Sequence, residues 1–544
     1  HRRKNPMKLV RNAVLTVCML AMAAGPARAQ FENVGVIDFP TSASGEAQDH
    51  FLRGVAILHS FGWIQAREQF HAAQELDPDF AMAYWGESLA YNHPLTSQMD
   101  ATEPRNALQR LAPTRAERLA KAPTDREKGF LNAVEILWGD GEHVDRRVGY
   151  MEAMERLYEQ YPDDPEVAAF YSLSMLSAVA ATRDLSGRLN VKAGTIALKL
   201  FKDNAYHPGA VHYTIHSFDD PIHAPLALEA AHRFAEIAPA VSHARHMPTH
   251  IFIQHGMWGY VSGHNQSAYD AARELWEPGE PMGDATHSLD WGQYGDLQLG
   301  DYEKARLWIR RIEKLASGTF LEFGEGGPSE ETGQARPRGA EPLLKARYIV
   351  DTEEWAILPI TDESSNHELL ATGLSAARTG DRTALEAAEA ALSENADAPG
   401  GRFGNYNGIM HKQVAALLEA DRGNEAGARE LMDQAVETVE AMAPPRGSAS
   451  PIKPVHELYG EILAGFGDHE AAAGMFETSL LRMPKRPRSL LGVARASVET
   501  GDFERATEAY ETLVSEVWVG RDTFSGYQEA IRFLESTDSS NRSR

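Results

Sequence analysis

The sequence predicts an all-α protein built from consecutive antiparallel helix pairs, and three observations carry that prediction. Gly, Ala, aromatic and Pro residues return at matching offsets in separate stretches of the chain. Gly-Asp or Gly-Asn dipeptides stand between the apolar-periodic segments, where a chain must end one helix and begin another. No stretch sustains the period-two alternation of a half-buried strand. The 544 residues are 43% hydrophobic and 24% charged, ordinary values for a folded chain, and the length suits several domains or one long array.

The chain opens with a segment that reads as an address. Lys8 and Arg11 follow Met7, Ala13 to Ala24 form an apolar run, and Ala27-Arg28-Ala29 precedes Gln30. That layout predicts a cleavable secretory leader over residues 1–29 and a periplasmic or secreted protein. The apolar run is shorter than the ~20 residues a spanning helix needs, and no later stretch is longer, so no membrane span is expected. The chain's 1 cysteine, Cys18, lies inside this segment, which excludes a disulfide framework and a cysteine-ligated metal centre. A net charge of -25 argues against a grip on nucleic acid or on an anionic membrane, both of which call for clustered Lys and Arg.

Residues 30–45 read as a linker into a first array over 46–316. In the window 47–80, Gly54, Ala66, Phe70 and Pro78, with Ala73 between the last two, are spaced as Gly460, Ala472, Phe476 and Pro484 are in 453–486. Small residues let two helices approach, and a proline blocks continuation of the second. Gly300-Asp301, Gly423-Asn424, Gly467-Asp468 and Gly501-Asp502 mark turns within the pairs. Residues 93–123, rich in Pro, Ala and Arg, read as an insertion. Residues 317–342 read as a long Gly/Glu/Pro loop and a candidate lid; its Gly324-Glu325-Gly326-Gly327-Pro328 run has neither the Lys-Ser/Thr nor the preceding strand of a phosphate loop. A second array with a capping helix follows over 343–535, and 536–544 reads as a disordered tail.

These offsets resemble the tetratricopeptide repeat, a helix–turn–helix unit of about 34 residues. The resemblance covers most of residues 46 to 520, is sharpest in the first and last units and is degraded between 125 and 285. It implies a right-handed α-solenoid, because one such unit cannot bury its apolar face alone. It also implies a concave groove that holds a peptide or protein partner.

Ten of the 21 histidines fall between residues 207 and 264. His212 and His216 are four apart; His243, His246 and His250 are separated by three and then four; His287, Asp290 and Tyr294 repeat that spacing. Such offsets put each set on one helix face. In the frame of the repeat these are the second, fifth and ninth places of their units, which the resemblance implies line the groove. His59 and His93 fall at a later place and are weaker candidates. His232, His255 and His264 have no matching periodicity and read as surface or core-edge residues.

A cysteine-free set of imidazoles suits zinc, copper or iron, and three histidines with one open position suit a catalytic metal. The predicted ligands are therefore His212, His216, His243, His246, His250 and His287, with Asp219, Asp290 and Tyr294 as residues that orient them. Asp220 reads with Pro221 as a helix start. Several catalytic motifs are excluded. His212-Tyr213-Thr214-Ile215-His216 has tyrosine where a zinc protease carries its glutamate, His456-Glu457 lacks a second histidine, and Gly259-Tyr260-Val261-Ser262-Gly263 misplaces its serine. Two functions remain open: a binding scaffold whose groove holds a partner and a metal ion, or a histidine-ligated metalloenzyme or metal-handling protein.

Overall fold

The computed structural model describes residues 33–95, 100–277, 280, 282–326, 340–397, 406–442 and 445–542. The expected leader and residues 327–339 of the expected loop lie outside them. Among the described residues the protein is all-α, a succession of paired helices with no strand. None of those helices is long and apolar enough to cross a membrane. Contacts divide the chain into two compact units. Unit 1 comprises His1–Arg183, Lys192–Thr214 and Arg233–Ala244; unit 2 comprises Asp184–Val191, Ile215–His232 and Arg245–Arg544.

In unit 1, helices Glu46–His59 and Trp63–Leu76 form the first pair. Its spacing has a direct physical cause. A Cβ at Gly54 would stand 2.8 Å from the Phe70 ring, and one at Gly86, in helix Ala81–Leu89, only 2.3 Å from it. One aromatic ring is thus clasped between glycines of two successive helices. Phe39 is fully buried against Phe51, Trp85 and Phe130, with ring centroids 5.1, 5.6 and 5.0 Å away. Residues 30–45 are therefore not merely a linker: the described part anchors the core with an aromatic side chain. The 93–123 insertion carries helices Thr102–Leu111 and Arg115–Lys121. The second of these opens on a reciprocal capping box between Thr114 and Glu117.

Unit 2 repeats the same construction. Cβ atoms at Gly460 and Gly492 would meet the Phe476 ring at 2.9 and 2.5 Å, and one at Gly292 would meet Trp308 at 2.7 Å. The Gly-Asp turns work as two caps in one dipeptide. Gly300, Gly423, Gly467 and Gly501 adopt φ between 70° and 83°, the left-handed stop that glycine takes without strain. Asp301, Asn424, Asp468 and Asp502 then accept the backbone N–H three residues on. Gly380-Asp381 is a further copy.

Two expected boundaries change. The last helix runs Ser525–Arg542, so the tail expected to be disordered continues a helix through most of 536–544. The expected 317–342 loop is shorter. Phe320 is fully buried in a cluster with Tyr269, Trp276 and Trp308, residues Leu321–Gly326 form a 3-10 turn, and helix Ala340–Thr352 begins inside the expected loop.

Candidate metal centre

Proline decides the local shape of the richest histidine stretch. Pro248 has no N–H to give the preceding turn, and the chain divides there into helices Ser242–His246 and Pro248–Gln254. The junction is held by His250 N–H donating to Met247 O at 3.1 Å and Thr249 Oγ1 donating to His246 O at 2.7 Å. His246 ends the first helix and His250 lies in the first turn of the second. Their rings meet edge to face, with centroids 5.1 Å apart. Helix Gly283–Gln298 brings His287 alongside, its ring 4.3 Å from that of His246 and 6.3 Å from that of His250. One ligating nitrogen from each of the three lies within 4.8 Å of the other two.

The hydrogen bonds behind these rings fix their protons. His250 Nδ1 lies 2.7 Å from the Asp219 Oδ2 carboxylate oxygen, which can only accept from it. His246 Nδ1 lies 2.7 Å from Asn265 Oδ1, while Asn265 Nδ2 donates to Val261 O at 2.8 Å. Both Nδ1 atoms therefore carry protons, and both Nε2 atoms of the neutral rings present lone pairs. Those two Nε2 atoms face each other at 3.2 Å. Two lone pairs so placed repel unless a cation, a proton or a metal ion, sits between or beside them. The separation is also close to the edge of a tetrahedron of nitrogens about 2.0–2.1 Å from zinc, roughly 3.3–3.4 Å.

His246 is buried, His250 is partly so, and His287 is open to solvent on one side. The protein mass around His287 still disfavours its charge. Burial, with the neighbouring His250, pushes its pKa down to about 4, and Asp290 offsets this only in part. The ring is neutral at physiological pH, the form that ligates metal. The Trp291 indole closes one wall, its centroid 4.3 Å from His250, 5.1 Å from His246 and 5.7 Å from His287.

Of the residues expected to orient the ligands, Asp219 takes that place. Asp290 is paired with Arg347 at 2.7 Å. The Tyr294 hydroxyl lies 3.3 Å from Arg486 Nη1, inside a buried ionic network. His216, in unit 2, has its ring 5.7 Å from that of His250. His212 and His243 pair in unit 1 with ring centroids 5.1 Å apart, and Phe61 packs on both at 4.4 and 5.3 Å. His212 donates from Nδ1 to His59 O at 2.6 Å, which leaves its Nε2 in the ligating form. His93, the other weak candidate, is exposed, with its ring 5.0 Å from Trp63. His232 and His264 pack on Phe252 at 4.9 and 5.3 Å.

A second cluster, His59, Glu166 and His207 of unit 1, has the same crowding of ligand-type atoms but opposite proton logic. Ala210 N–H donates to His207 Nδ1 at 3.1 Å, so the proton of the neutral ring is on Nε2, 3.3 Å from Glu166 Oε1. His59 Nε2 donates to Glu166 Oε2 at 2.8 Å, and the Tyr213 hydroxyl donates to His59 Nδ1 at 2.8 Å. Every member is buried. Here His59 spends its proton on the carboxylate in a hydrogen bond, His207 faces the second oxygen in a looser polar contact, and the cluster closes as a pin. Glu166 was not foreseen: it lies 107 residues from His59, and no helical spacing links them. Asn265 and Trp291 were not foreseen as site residues either. The i+4 step from His287 to Trp291 was the available signal.

No family model matches the chain, and no curated protein matches it. Among solved structures it is similar to yeast Tom70, at 13% identity and TM-score 0.26 over 91% of this chain and 96% of that one. It is also similar to a human IFIT1 dimer with m7Gppp-AAAA, at 12% identity and TM-score 0.29 over 91% of each chain. A third is the P58(IPK) TPR domain, at 13% identity and TM-score 0.19 over 91% of this chain and 99% of that one. Likeness of this degree says nothing about the site, which is read from its own geometry.

Proposed function

We propose that this protein is a helix-repeat binding protein whose working centre is a first-row transition-metal site formed by His246, His250 and His287. The observation that carries the reading is the pair of Nε2 atoms 3.2 Å apart, each turned into the lone-pair form by an acceptor behind its ring. Three neutral imidazoles without thiolate suit zinc, copper(II) or iron(II). The carboxylate–histidine–metal arrangement of Asp219 and His250 is the usual way a ligand ring is held and made more basic. A three-histidine set leaves one position for water, a substrate atom or a side chain of a bound partner. His216, His212 and His243 remain candidate ligands of the same reading. The notion that a peptide or protein lies in the repeat groove rests on the resemblance of the repeats, and export rests on the leader-like segment of residues 1–29.

Elemental analysis of full-length protein purified without chelator tests the centre. About one first-row ion per chain is expected, and His246→Ala removes it. A chelator should lower the melting temperature of the wild type and leave that of His246→Ala unchanged, since a metal stabilises only as far as it binds the folded chain. Full metal content in His246→Ala rejects the site. A wild type that takes up no zinc, cobalt or copper means that a shared proton alone joins His246 and His250.

A further inference from the structure

One loop of unit 2 reaches the surroundings of all three histidines. Residues 445–448 follow helix Glu425–Glu440 and lie almost two hundred residues from His250 in sequence. Gln254 Nε2 donates to Pro445 O at 3.0 Å and stands 3.5 Å from Oδ1 of Asp219, the carboxylate that orients His250. Ser448 Oγ accepts from Arg347 Nη2 at 3.1 Å. Arg347 Nη1 in turn holds Asp290 by its carboxylate at 2.7 Å and by its backbone carbonyl at 3.0 Å, one helical turn beyond His287. Between these two tethers, Gly447 lies flat on Trp291: a Cβ there would come within 2.7 Å of the indole Cζ2.

We propose that the Pro445–Ser448 segment is a positioning strap for the metal centre, with Gly447 and Trp291 as the residues that set the placing of the three imidazoles. The proposal rests on reading the histidine cluster as a metal site. Its physical basis is the shared wall. Trp291 is 5% exposed and packs against all three rings, so a displaced indole displaces the ligands. Metal sites tolerate only about 0.5 Å of such displacement. Gly447 is not among the glycines with positive φ, so its backbone conformation does not call for glycine. The space beside Trp291 does, because carbon atoms in contact rest about 3.5–4.0 Å apart. The strap thus makes metal affinity depend on a distant repeat of the same unit, and whatever moves that repeat moves the centre.

The experiment compares wild type, Gly447→Ala, Trp291→Phe and the double variant as full-length chains. Cobalt affinity by chelator competition and the ligand-field spectrum of bound cobalt are read beside the thermal midpoint of the metal-free protein. Gly447→Ala should weaken cobalt binding roughly 10–100-fold, the usual cost of disturbing the support of a ligand, and alter the spectrum, with the metal-free midpoint little changed. The double variant should recover most of the affinity, because phenylalanine lacks the ring atom that the new Cβ strikes. Unchanged affinity in Gly447→Ala, with wild type binding cobalt, overturns the strap and leaves the metal site standing. So does a loss of affinity that Trp291→Phe fails to rescue. A wild type that binds no cobalt overturns both. Should Gly447→Ala not fold, Ser448→Ala cuts the Arg347 tether by itself; a several-fold loss of cobalt affinity supports the proposal, and no loss overturns it.

Discussion

His250 gives its Nδ1 proton to Asp219 Oδ2 across 2.7 Å, and Asp219 is itself buried. The pair fixes the ring's orientation and leaves Nε2 basic toward His246. Asp219→Asn keeps the size of the side chain and loses the charge that makes the imidazole a strong donor. Metal affinity should fall about 10–100-fold, while His287 and His246 keep the site detectable. Isothermal titration with zinc reads the effect. Equal affinity in the variant would show that Asp219 plays no part in the centre.

The pin in unit 1 gives a pH dependence of definite sign. Burial drives the pKa of His59 below its usual value of 6.5, Glu166 notwithstanding. Burial also acts to raise Glu166, but His59 and His207 outweigh it and hold the carboxyl at about 2. Both groups titrate lower in the folded chain than in the unfolded one, so the unfolded chain takes up more protons as pH falls. Their stabilisation is complete above about pH 6.5, weakens first as unfolded His59 charges, and is lost further below about pH 4.3 as unfolded Glu166 protonates. Urea midpoints measured from pH 8 to pH 3 should decline in that order. Glu166→Gln, which weakens the acceptor facing two buried imidazole N–H groups, should cost about 1–3 kcal/mol at pH 7 and abolish the lower part of the decline. An unaltered profile in that variant rules out the pin as its source.

The glycines of the repeat separate into those that make room and those that do not. A methyl group at Gly86 would lie 2.3 Å from the Phe70 ring, whereas one at Gly474, inside helix His469–Arg482, meets nothing within 4 Å. Gly86→Ala should destabilise unit 1 by about 1–3 kcal/mol through overpacking. Gly474→Ala should stabilise unit 2 by about 0.4–1 kcal/mol, because alanine leaves fewer conformations open to the unfolded chain. Denaturation curves of the two variants should move in opposite directions; a shared direction would mean that ring contact is not what the repeat glycines serve.

What could be read from the sequence was what local periodicity encodes. Gly54 with Phe70 and Gly460 with Phe476 share one spacing because each glycine faces an aromatic ring of the next helix, and the Gly-Asp pairs are caps whose chemistry is complete within a few residues. The histidine stretch was legible for the same reason, since offsets of three and four place side chains on one face. Pro248 shows the limit of that reasoning: it breaks the face it lies on, and His246 meets His250 across a junction rather than along a continuous helix. Glu166, Gly447 and Trp291 depend on which distant helices touch, and no short-range pattern records that. Phe39 stood in an irregular segment with no period to declare its burial.

The buried ionic network of unit 2 supplies a prediction about acid sensitivity that one substitution weakens. Arg486 is completely buried; its Nη2 meets Asp351 Oδ1 at 2.5 Å and its Nε meets Glu457 Oε2 at 2.8 Å. Glu457 also accepts from Lys453 Nζ at 2.9 Å and from Ser489 Oγ at 2.7 Å. Burial acts to raise the Glu457 pKa, but the two cations, Arg486 foremost, hold it far below the usual carboxylate range. In the wild type this group therefore adds stability above about pH 4.3 that is lost on acidification. Arg486→Met fills similar volume and leaves the carboxylates of Asp351 and Glu457 buried, with Lys453 still on Glu457. The cost at pH 7 should be about 3–5 kcal/mol. Without the guanidinium, Glu457 loses the foremost of the causes that hold its pKa down, so less of the variant's stability is left for acid to remove. The stability gap between wild type and Arg486→Met should accordingly narrow as pH falls from about 5 to 3, read from urea midpoints at each pH. Should the gap stay constant across that range, the cost of the substitution would be one of packing, and the charge network would not be what ties these helices together.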